Sequence, residues 1–224
     1  MVRFFLIAAL ASVLSACALR QDSLALRLDA LLPVDALLVG EQHDAPEHQQ
    51  LHLAIVRDLG RRGQLAALAI EMASQGKSTR GLAAHATAED VQTALQWNDN
   101  AWAWQTYGPV VMAAVRQGVP VFGANLPGDA MRAAMANATL DQLLGPAALQ
   151  RQHDVIRSGH CDLLPASQIA PMARIQIARD AAMASTVADA RRAGKVCCWW
   201  LVRRMCDARR AFRSTCPRGC PAAC

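Results

Sequence analysis

The chain has 224 residues, of which 53% are hydrophobic and 18% are charged, and its formal net charge is +5. This length and apolar fraction predict one globular domain with a sizeable core, and they exclude disordered, collagenous and coiled-coil proteins. The charge comes from the end of the chain, because residues 197–224 hold six Arg and one acid, whereas residues 1–196 hold 17 basic and 17 acidic residues. A neutral body gives no reason to expect a nucleic-acid partner, which needs basic residues spread over a folded face.

The N-terminus has the pattern of a bacterial lipoprotein precursor. A short positive start precedes an apolar run at residues 4–14, which is too short for a permanent membrane-spanning helix. The run ends in Leu-Ser-Ala-Cys, which resembles the lipobox whose Cys is acylated. We therefore expect a signal peptide over residues 1–16, lipidation of Cys17 and a linker over residues 17–34. The mature protein is then expected in the bacterial cell envelope, at the outer membrane or periplasmic face, anchored to a membrane by its acyl chains.

In the body of the chain, residues 35–196, apolar runs of strand length alternate with helical patterns. This alternation predicts a single α/β domain in three layers, with a mainly parallel sheet between helices on both faces. The predicted strands cover residues 36–40, 66–71 and 119–124, and the predicted helices cover residues 47–62, 88–97, 105–117 and 166–193. The last pattern fits either one helix or two helices that break near Pro171. Asp44 is expected to cap the first helix and Gly63 to end it.

Polar residues follow the three predicted strands at ends that would meet at one edge of the sheet. The first strand runs into Gly40-Glu41-Gln42-His43, the second into Glu71 and the third into Asn125. In open α/β sheets, ligands bind at the carboxyl ends of the strands. Gly40 is expected to turn the backbone so that Glu41 and His43 share one cleft. Glu71 ends an apolar run and would be desolvated without a partner, which favours a site role; Asn125 fits either a site role or the ordering of its turn.

Two His residues of the first predicted helix, His48 and His52, are four positions apart and therefore share one helix face. Imidazoles at this spacing can bind metal, but the residues between them lack the Glu of the His-Glu-x-x-His zinc signature. We interpret the pair as part of an exposed helix face. His85, His153 and His160 have no patterned partner and are expected at the surface.

Residues 97–109 contain three of the five Trp and the single Tyr of the chain. In a chain with few aromatic residues, such a cluster either caps the core or lines a pocket for a flat apolar ligand, and the two roles are compatible. In the second role, the phenol oxygen of Tyr107 is available to iron. A tyrosinate is a hard donor that suits ferric iron, and it is therefore preferred to Met72 or Met112.

Together these segments resemble the ChaN-like family of bacterial lipoproteins, which are haem-binding uptake proteins grouped with the Tiki and erythromycin-esterase-like proteins. The matching pieces are Gly-Glu-Gln-His at 40–43, Ala-Ile-Glu-Met at 69–72, the stretch 104–109, and 119–127 with its Asn-Leu-Pro. The resemblance covers residues 35–196 and implies a three-layer α/β fold, a lipid anchor and haem as the ligand.

The first hypothesis is therefore a membrane-anchored lipoprotein that binds haem in iron uptake, a binding protein rather than an enzyme. Tyr107 is the candidate axial ligand of the iron. The other candidate haem-binding residues are Glu41, His43, Glu71, Trp104 and Asn125. A homodimer that holds the flat ligand between two copies is a further expectation.

The wider superfamily implies a second hypothesis, a metal-dependent hydrolase whose site uses two Gly-x-x-His motifs and a Glu. Only the first motif, Gly40 to His43, and Glu71 match here. In this alternative, His43 and Glu71 with Glu41 would hold a divalent ion that lowers the pKa of its bound water. Because the second His is missing, hydrolytic activity is not expected of this chain.

Residues 197–224 depart from the family pattern. Where relatives have a last strand that leads into the second Gly-x-x-His, this chain has Cys-Cys-Trp-Trp-Leu-Val-Arg-Arg-Met-Cys, a mixture that GC-rich codons give when they are translated out of frame. With third bases that are ordinary in GC-rich genes, the neighbouring frame encodes Leu-Leu-Val-Ala-Gly-x-Ala-His and restores the motif. We therefore expect a frameshift near codon 196, loss of the last strand and a chain that folds poorly. The alternative is a genuine tail whose six Cys form disulfides or bind metal.

Overall fold

The computed structural model describes residues 24–202 and 222–223, with side chains described for residues 24–197. The predicted signal peptide, Cys17 and most of the Cys-rich and Arg-rich tail lie outside the described residues. The elements in chain order are α1 (24–29), β1 (Ala36–Glu41), α2 (Pro46–Arg61), β2 (Leu65–Ser74), α3 (Ala88–Leu95), α4 (Trp104–Arg116), β3 (Val121–Asn125), α5 (Ala130–Ala136), a 3₁₀ helix (Ala138–Leu143), α6 (Pro146–Gly159), α7 (Ala166–Asp189), β4 (Val196–Val202) and β5 (Ala222–Ala223). Of these described helices, none is both long enough and apolar enough to cross a membrane.

The strands form one parallel sheet in the order β3-β2-β4-β1-β5. Helices α2 and α4 cover one face of this sheet and α7 covers the other, so the predicted three-layer α/β fold is confirmed. The carboxyl ends of all the strands lie at the same edge because every pair is parallel. Residues that follow β1 and β2 are therefore brought to one rim, as the strand pattern predicts.

The prediction that the last strand is lost is wrong. Strand β4 lies in the middle of the sheet, where it pairs with β1 from Ala36↔Cys197 to Glu41↔Val202 and with β2 up to Ile70↔Trp200. Its sequence, Val-Cys-Cys-Trp-Trp-Leu-Val, is apolar throughout and rich in aromatic and β-branched residues, which are typical of strands. Residues that depart from the family pattern therefore still supply the central strand.

The two faces of the sheet carry side chains of different size. Along β2, Leu68 and Ile70 pack in the core below α2 and α4, whereas Ala67 and Ala69 pack in the core below α7. This alternation follows from the two-residue period of a strand. The small side chains let Met183 of α7, which is fully buried, lie directly against the sheet.

The structure corrects one predicted helix boundary and decides between two alternatives for α7. Asp44 does not cap α2; the cap position is Ala45, which makes no side-chain cap hydrogen bond, and Pro46 opens the helix because its fixed φ and missing N–H suit the first turn. Helix α7 is continuous through Pro171, which decides in favour of one helix. Gly63 follows α2 with a φ of 65°, a conformation that glycine adopts without strain.

Gly123 in β3 is a position where the packing of the sheet requires glycine. A Cβ at this position would lie 2.2 Å from the backbone oxygen of Ser74 and 2.8 Å from the backbone carbon of Ala73. Because backbone atoms cannot swing aside, Gly123→Ala is expected to lower the free energy of unfolding by about 1–3 kcal/mol. Urea unfolding measures this, with Gly40→Ala as the matched control, since a Cβ at Gly40 would meet nothing within 4 Å. Equal stability of the two variants would contradict the prediction.

Candidate functional site

A cleft of about 290 Å³ lies at the carboxyl rim of the sheet. One wall consists of His43 after β1, Glu71 of β2 and Trp102 before α4. The opposite wall is formed by α6, the residue that follows it, and α7, through Gln152, Val155, Ile156, Gly159, His160, Gln176, Arg179 and Asp180. The cleft is therefore the place where the fold brings the predicted acid, imidazole and aromatic segment together.

The carboxylate of Glu41 is the buried anchor of the site and is fully excluded from solvent. Its Oε1 lies 2.8 Å from Nδ1 of His43, and its Oε2 accepts a hydrogen bond of 3.3 Å from Nε2 of Gln49. Nδ1 of His52 lies 3.9 Å from the same Oε2, which is beyond hydrogen-bond distance. A buried carboxylate needs such partners, and in turn it fixes the side chains that donate to it.

His43 stands between this anchor and the cleft, and its side chain is 43% exposed. Nδ1 lies 2.8 Å from Glu41 Oε1 and 3.0 Å from the hydroxyl oxygen of Tyr107, and the ring packs against Trp102 with 5.0 Å between the ring centroids. We assign the hydrogen to Nδ1 because a carboxylate oxygen only accepts. Nε2 then has a lone pair, which is the arrangement that metal-binding His residues use with a supporting carboxylate.

Tyr107, the sequence-predicted iron ligand, lies one layer deeper than His43. Tyr107 is 5% exposed and is not among the residues that line the cleft. Its hydroxyl lies within hydrogen-bond distance of Nδ1 of His43. Burial raises the pKa of the Tyr107 phenol above its usual range, and the nearby carboxylates of Glu41 and Glu71 raise it further. The phenol is therefore protonated at neutral pH in this arrangement.

The aromatic segment packs against the core and also contributes one side chain, Trp102, to the lining of the cleft. Trp97 packs edge-on against Trp104 at 4.9 Å, and Trp102 packs edge-on against Tyr107 at 5.6 Å. Trp104 is partly buried and packs closely on Gly108, where a Cβ would lie 2.6 Å from its indole. The Trp that lines the cleft is Trp102, which the sequence pattern does not distinguish from its two neighbours.

The two other predicted site residues on strands behave differently. Glu71 is 4% exposed and lines the cleft. It is not at the end of its strand, because β2 continues to Ser74; it follows Ile70, the last residue of β2 that pairs with β4. Asn125 ends β3, on the far side of β2, and its backbone oxygen accepts a hydrogen bond from the Gln75 amide. The structure thus brings His43 into contact with Glu41 and Tyr107, and places His43 and Glu71 in the lining of the cleft. Asn125 and Trp104 are not among the lining residues.

Two expectations about the first strand and helix are wrong. His52 is not on an exposed face; it is 3% exposed, and its Nε2 lies 3.4 Å from the backbone oxygen of Gly40. Gly40 does not make a turn, because it is a residue of β1 without a positive φ. His48 holds the intervening loop, since its Nδ1 accepts a hydrogen bond of 2.9 Å from the Gln42 amide.

The burial of His52 predicts a pH-dependent stability. Burial, partly offset by the hydrogen bond to the Gly40 carbonyl and reinforced by the charge of His48, lowers the pKa of His52 from 6.5 to about 4. Between these values the unfolded chain binds the proton and the folded chain does not. The free energy of unfolding is therefore expected to fall by about 3 kcal/mol as the pH is lowered through this window.

Urea unfolding at pH 7 and pH 4 measures the effect, and His52→Gln should remove that part of the pH dependence. His85→Gln is the control, because His85 is exposed. A His52→Gln variant with the same pH dependence as the parent chain would overturn the assignment.

The far wall of the cleft is the part that the sequence analysis missed. No element was predicted over residues 126–165, yet α6 lies there and His160, which was expected at the surface, lines the cleft. Nδ1 of His160 donates a hydrogen bond of 2.8 Å to the Ile156 carbonyl. The available signal was weak: the buried residues Ala148, Gln152 and Ile156 recur every four positions, and one of them is polar.

The divalent-ion alternative assigns the ion to His43 and Glu71 with Glu41. Across residues 24–197, where side chains are described, no group of three or more His, Cys, Asp or Glu residues could hold a metal ion. Both carboxylate oxygens of Glu41 already have neighbours: Oε1 contacts His43, and Oε2 accepts a hydrogen bond from Gln49 and lies near His52. The alternative therefore depends on two side chains alone.

Comparisons with known proteins identify the family of this chain and support its fold. Residues 27–198 match the family described as haem-binding uptake, Tiki superfamily, ChaN. A solved structure, described as cofacial heme binding to ChaN of Campylobacter jejuni, is 21% identical with a TM-score of 0.60, over 81% of this chain and 72% of that one. That likeness supports the fold, and no curated protein matches the sequence. Because the family match spans most of the chain, the protein belongs to the ChaN family of haem-binding uptake proteins within the Tiki superfamily.

Proposed function

We propose that this protein binds haem in the cleft between Trp102 and the wall of α6 and α7, with His43 as the side chain that faces the iron. The observation that carries the proposal is the setting of His43, whose Nδ1 is held by a buried carboxylate while its ring is 43% exposed beside the cleft. Imidazole is a common axial donor to haem iron, and a supporting carboxylate strengthens it as a ligand. When bound, the haem would supply an iron centre that the His43 imidazole could ligate.

The lining of the cleft suits a flat ligand with one apolar and one polar part. Trp102, Val155 and Ile156 offer apolar surface, whereas His160 and Arg179 offer polar groups. The volume, about 290 Å³, lies at the lower end of the range for small-molecule pockets. A porphyrin would thus remain partly uncovered by one copy of the chain, which supports the expectation that a second copy covers the other face in a homodimer.

The proposal differs from the sequence-based assignment of Tyr107 as the iron ligand, and the absorption spectrum distinguishes the two. A tyrosinate ligand requires loss of the phenol proton, which the raised pKa of Tyr107 opposes. Tyr107→Phe is therefore expected to retain a Soret band on titration with haemin, at affinity within about tenfold of the parent chain, since it removes the contacts of the hydroxyl with His43 and Glu41 but not the proposed iron ligand.

Loss of the Soret band in Tyr107→Phe, with the fold intact by circular dichroism, would instead assign the iron to the phenol. Failure of the parent chain itself to give a Soret band would refute haem binding in the cleft.

We further propose that the protein is a lipoprotein of the cell envelope that serves iron uptake. The support is the lipobox-like sequence ending at Cys17 and the uptake role named for the family. Two or more acyl chains hold a soluble domain stably at a membrane. Labelling of expressing cells with a radioactive fatty acid tests the anchor: the chain should carry label and sediment with membranes, and an unlabelled chain in the soluble fraction would contradict it.

A further inference from the structure

Arg179 of α7 lies in the wall of the cleft and pairs with no acidic side chain that the structure describes. None of the ion pairs formed between described residues includes it, and its buried Nε has no hydrogen-bond partner among them. On the same helix, Arg174 makes a two-pronged contact with Asp141, with N–O distances of 2.8 and 3.0 Å. Arg179 thus differs from Arg174 because it lines the cleft and its buried Nε has no acceptor among the described residues.

We propose that Arg179 recognises a carboxylate on the ligand, so that the cleft selects haem through one of its propionate groups. This inference rests on the proposed function and adds the group on the ligand that the site recognises. A guanidinium presents its N–H donors in a planar fork that matches a carboxylate, and a buried N–H without an acceptor costs free energy until a ligand supplies one.

The polar groups around Arg179 include two amides that can assist it and two carboxylates that make a cation necessary for an anionic ligand. Gln152 and Gln176 line the same wall and carry amide donors that can share the second oxygen. Glu71 and Asp180 also line the cleft, and their carboxylates would disfavour an anion that met no cation. Arg179 is therefore the residue that makes entry of a propionate favourable.

The apolar groups place the rest of the ligand. Trp102 and Ile156 lie in the lining of the cleft, where a ring system can pack against them while its carboxylate reaches Arg179. This separation of apolar and cationic surface fits a flat ring with acid groups on its rim. A ring without the acid groups should bind through the apolar part alone.

The test compares haemin with haemin dimethyl ester, in which both propionates are esterified, on the full-length chain and on Arg179→Gln. Titrations followed by the Soret band should show haemin binding weakened by about 10- to 100-fold in the variant. Binding of the ester should change by less than about threefold, because the ester offers no carboxylate to lose. Arg179→Lys, which keeps the charge without the fork, should fall between the two.

Arg157→Gln is the matched control, since Arg157 lies on α6 outside the cleft and pairs with Asp154 at 3.0 Å. The role of Arg179 would be overturned if Arg179→Gln bound haemin with the affinity of the parent chain, or if it lost equal affinity for haemin and for the ester. Neither result would contradict haem binding itself. If the parent chain binds the ester but discriminates against haemin, the inference also fails. If it binds neither, the proposed function fails first. Should Arg179→Gln not fold, Arg179→Lys gives the same comparison.

Discussion

Replacing His43 by Ala is expected to weaken haemin binding by about 100-fold or more. Loss of a residue that only supports a metal ligand typically costs 10- to 100-fold in metal affinity, and loss of the ligand itself should cost at least the upper end of that range. The substitution removes a half-exposed ring, so the fold should be retained. Titration with haemin measures the change, and added imidazole should restore part of the Soret band because it can occupy the vacated position.

His85→Ala is the control for this experiment, since His85 is exposed and does not line the cleft. Unchanged affinity of His43→Ala, measured beside a folded and equally unaffected His85→Ala, would show that the iron does not bind at His43.

Truncation after Lys195 is expected to abolish cooperative folding. Strand β4 lies between β1 and β2, so its removal leaves two ladders of backbone hydrogen bonds unmade in the middle of the sheet. It also removes Val196 and Cys197, which are 2% and 0% exposed in the two cores. Urea unfolding followed by circular dichroism should show no cooperative transition for this shortened chain.

A second truncation, after Val202, keeps β4 and provides the comparison. It removes β5, which contributes two residues at the edge of the sheet beside β1. This longer form should retain a cooperative transition, and a cooperative transition in the shorter form would contradict the central position of β4.

The frameshift near codon 196 stays a separate prediction, because β4 forms from the residues as they stand. The nucleotide sequence of codons 190–224, determined independently, decides it. A restored frame would place a Gly-x-x-His at the carboxyl end of the central strand, next to Glu41 and Glu71. Such a His would give the hydrolase alternative the second motif that it lacks in this chain.

The part of the site that lies on strands could be predicted from the sequence. Glu41, His43 and Glu71 come at or just after apolar runs, and a parallel sheet brings such positions to one rim whatever the details of the helices. The position of Tyr107 near Glu41 could also be predicted, since Tyr107 belongs to the aromatic segment that packs at this rim. What the pattern did not show is how deeply each side chain is buried. Tyr107 is 5% exposed, whereas the side chain of His43 is 43% exposed beside the cleft.

The rest of the site depends on contacts between distant parts of the chain. His160, which follows α6, and Arg179 of α7 approach the rim only because α7 packs across the opposite face of the sheet and α6 packs against α7. His52 is buried because its helix presents that position toward Gly40, which no local pattern records. The central strand has a different explanation. Its residues depart from the family sequence, but they are apolar, aromatic or β-branched and therefore suit a strand, so the departure does not imply a loss of structure.

The most direct test of the account is the identity of the atom bound to iron. In ferric haem-loaded protein with ¹⁵N-labelled His, pulsed electron paramagnetic resonance should detect hyperfine coupling to an imidazole nitrogen, and His43→Ala should lose that coupling while His85→Ala retains it. Haem bound with no imidazole coupling, or a coupling that survives in His43→Ala, would contradict the assignment of His43 as the residue that faces the iron.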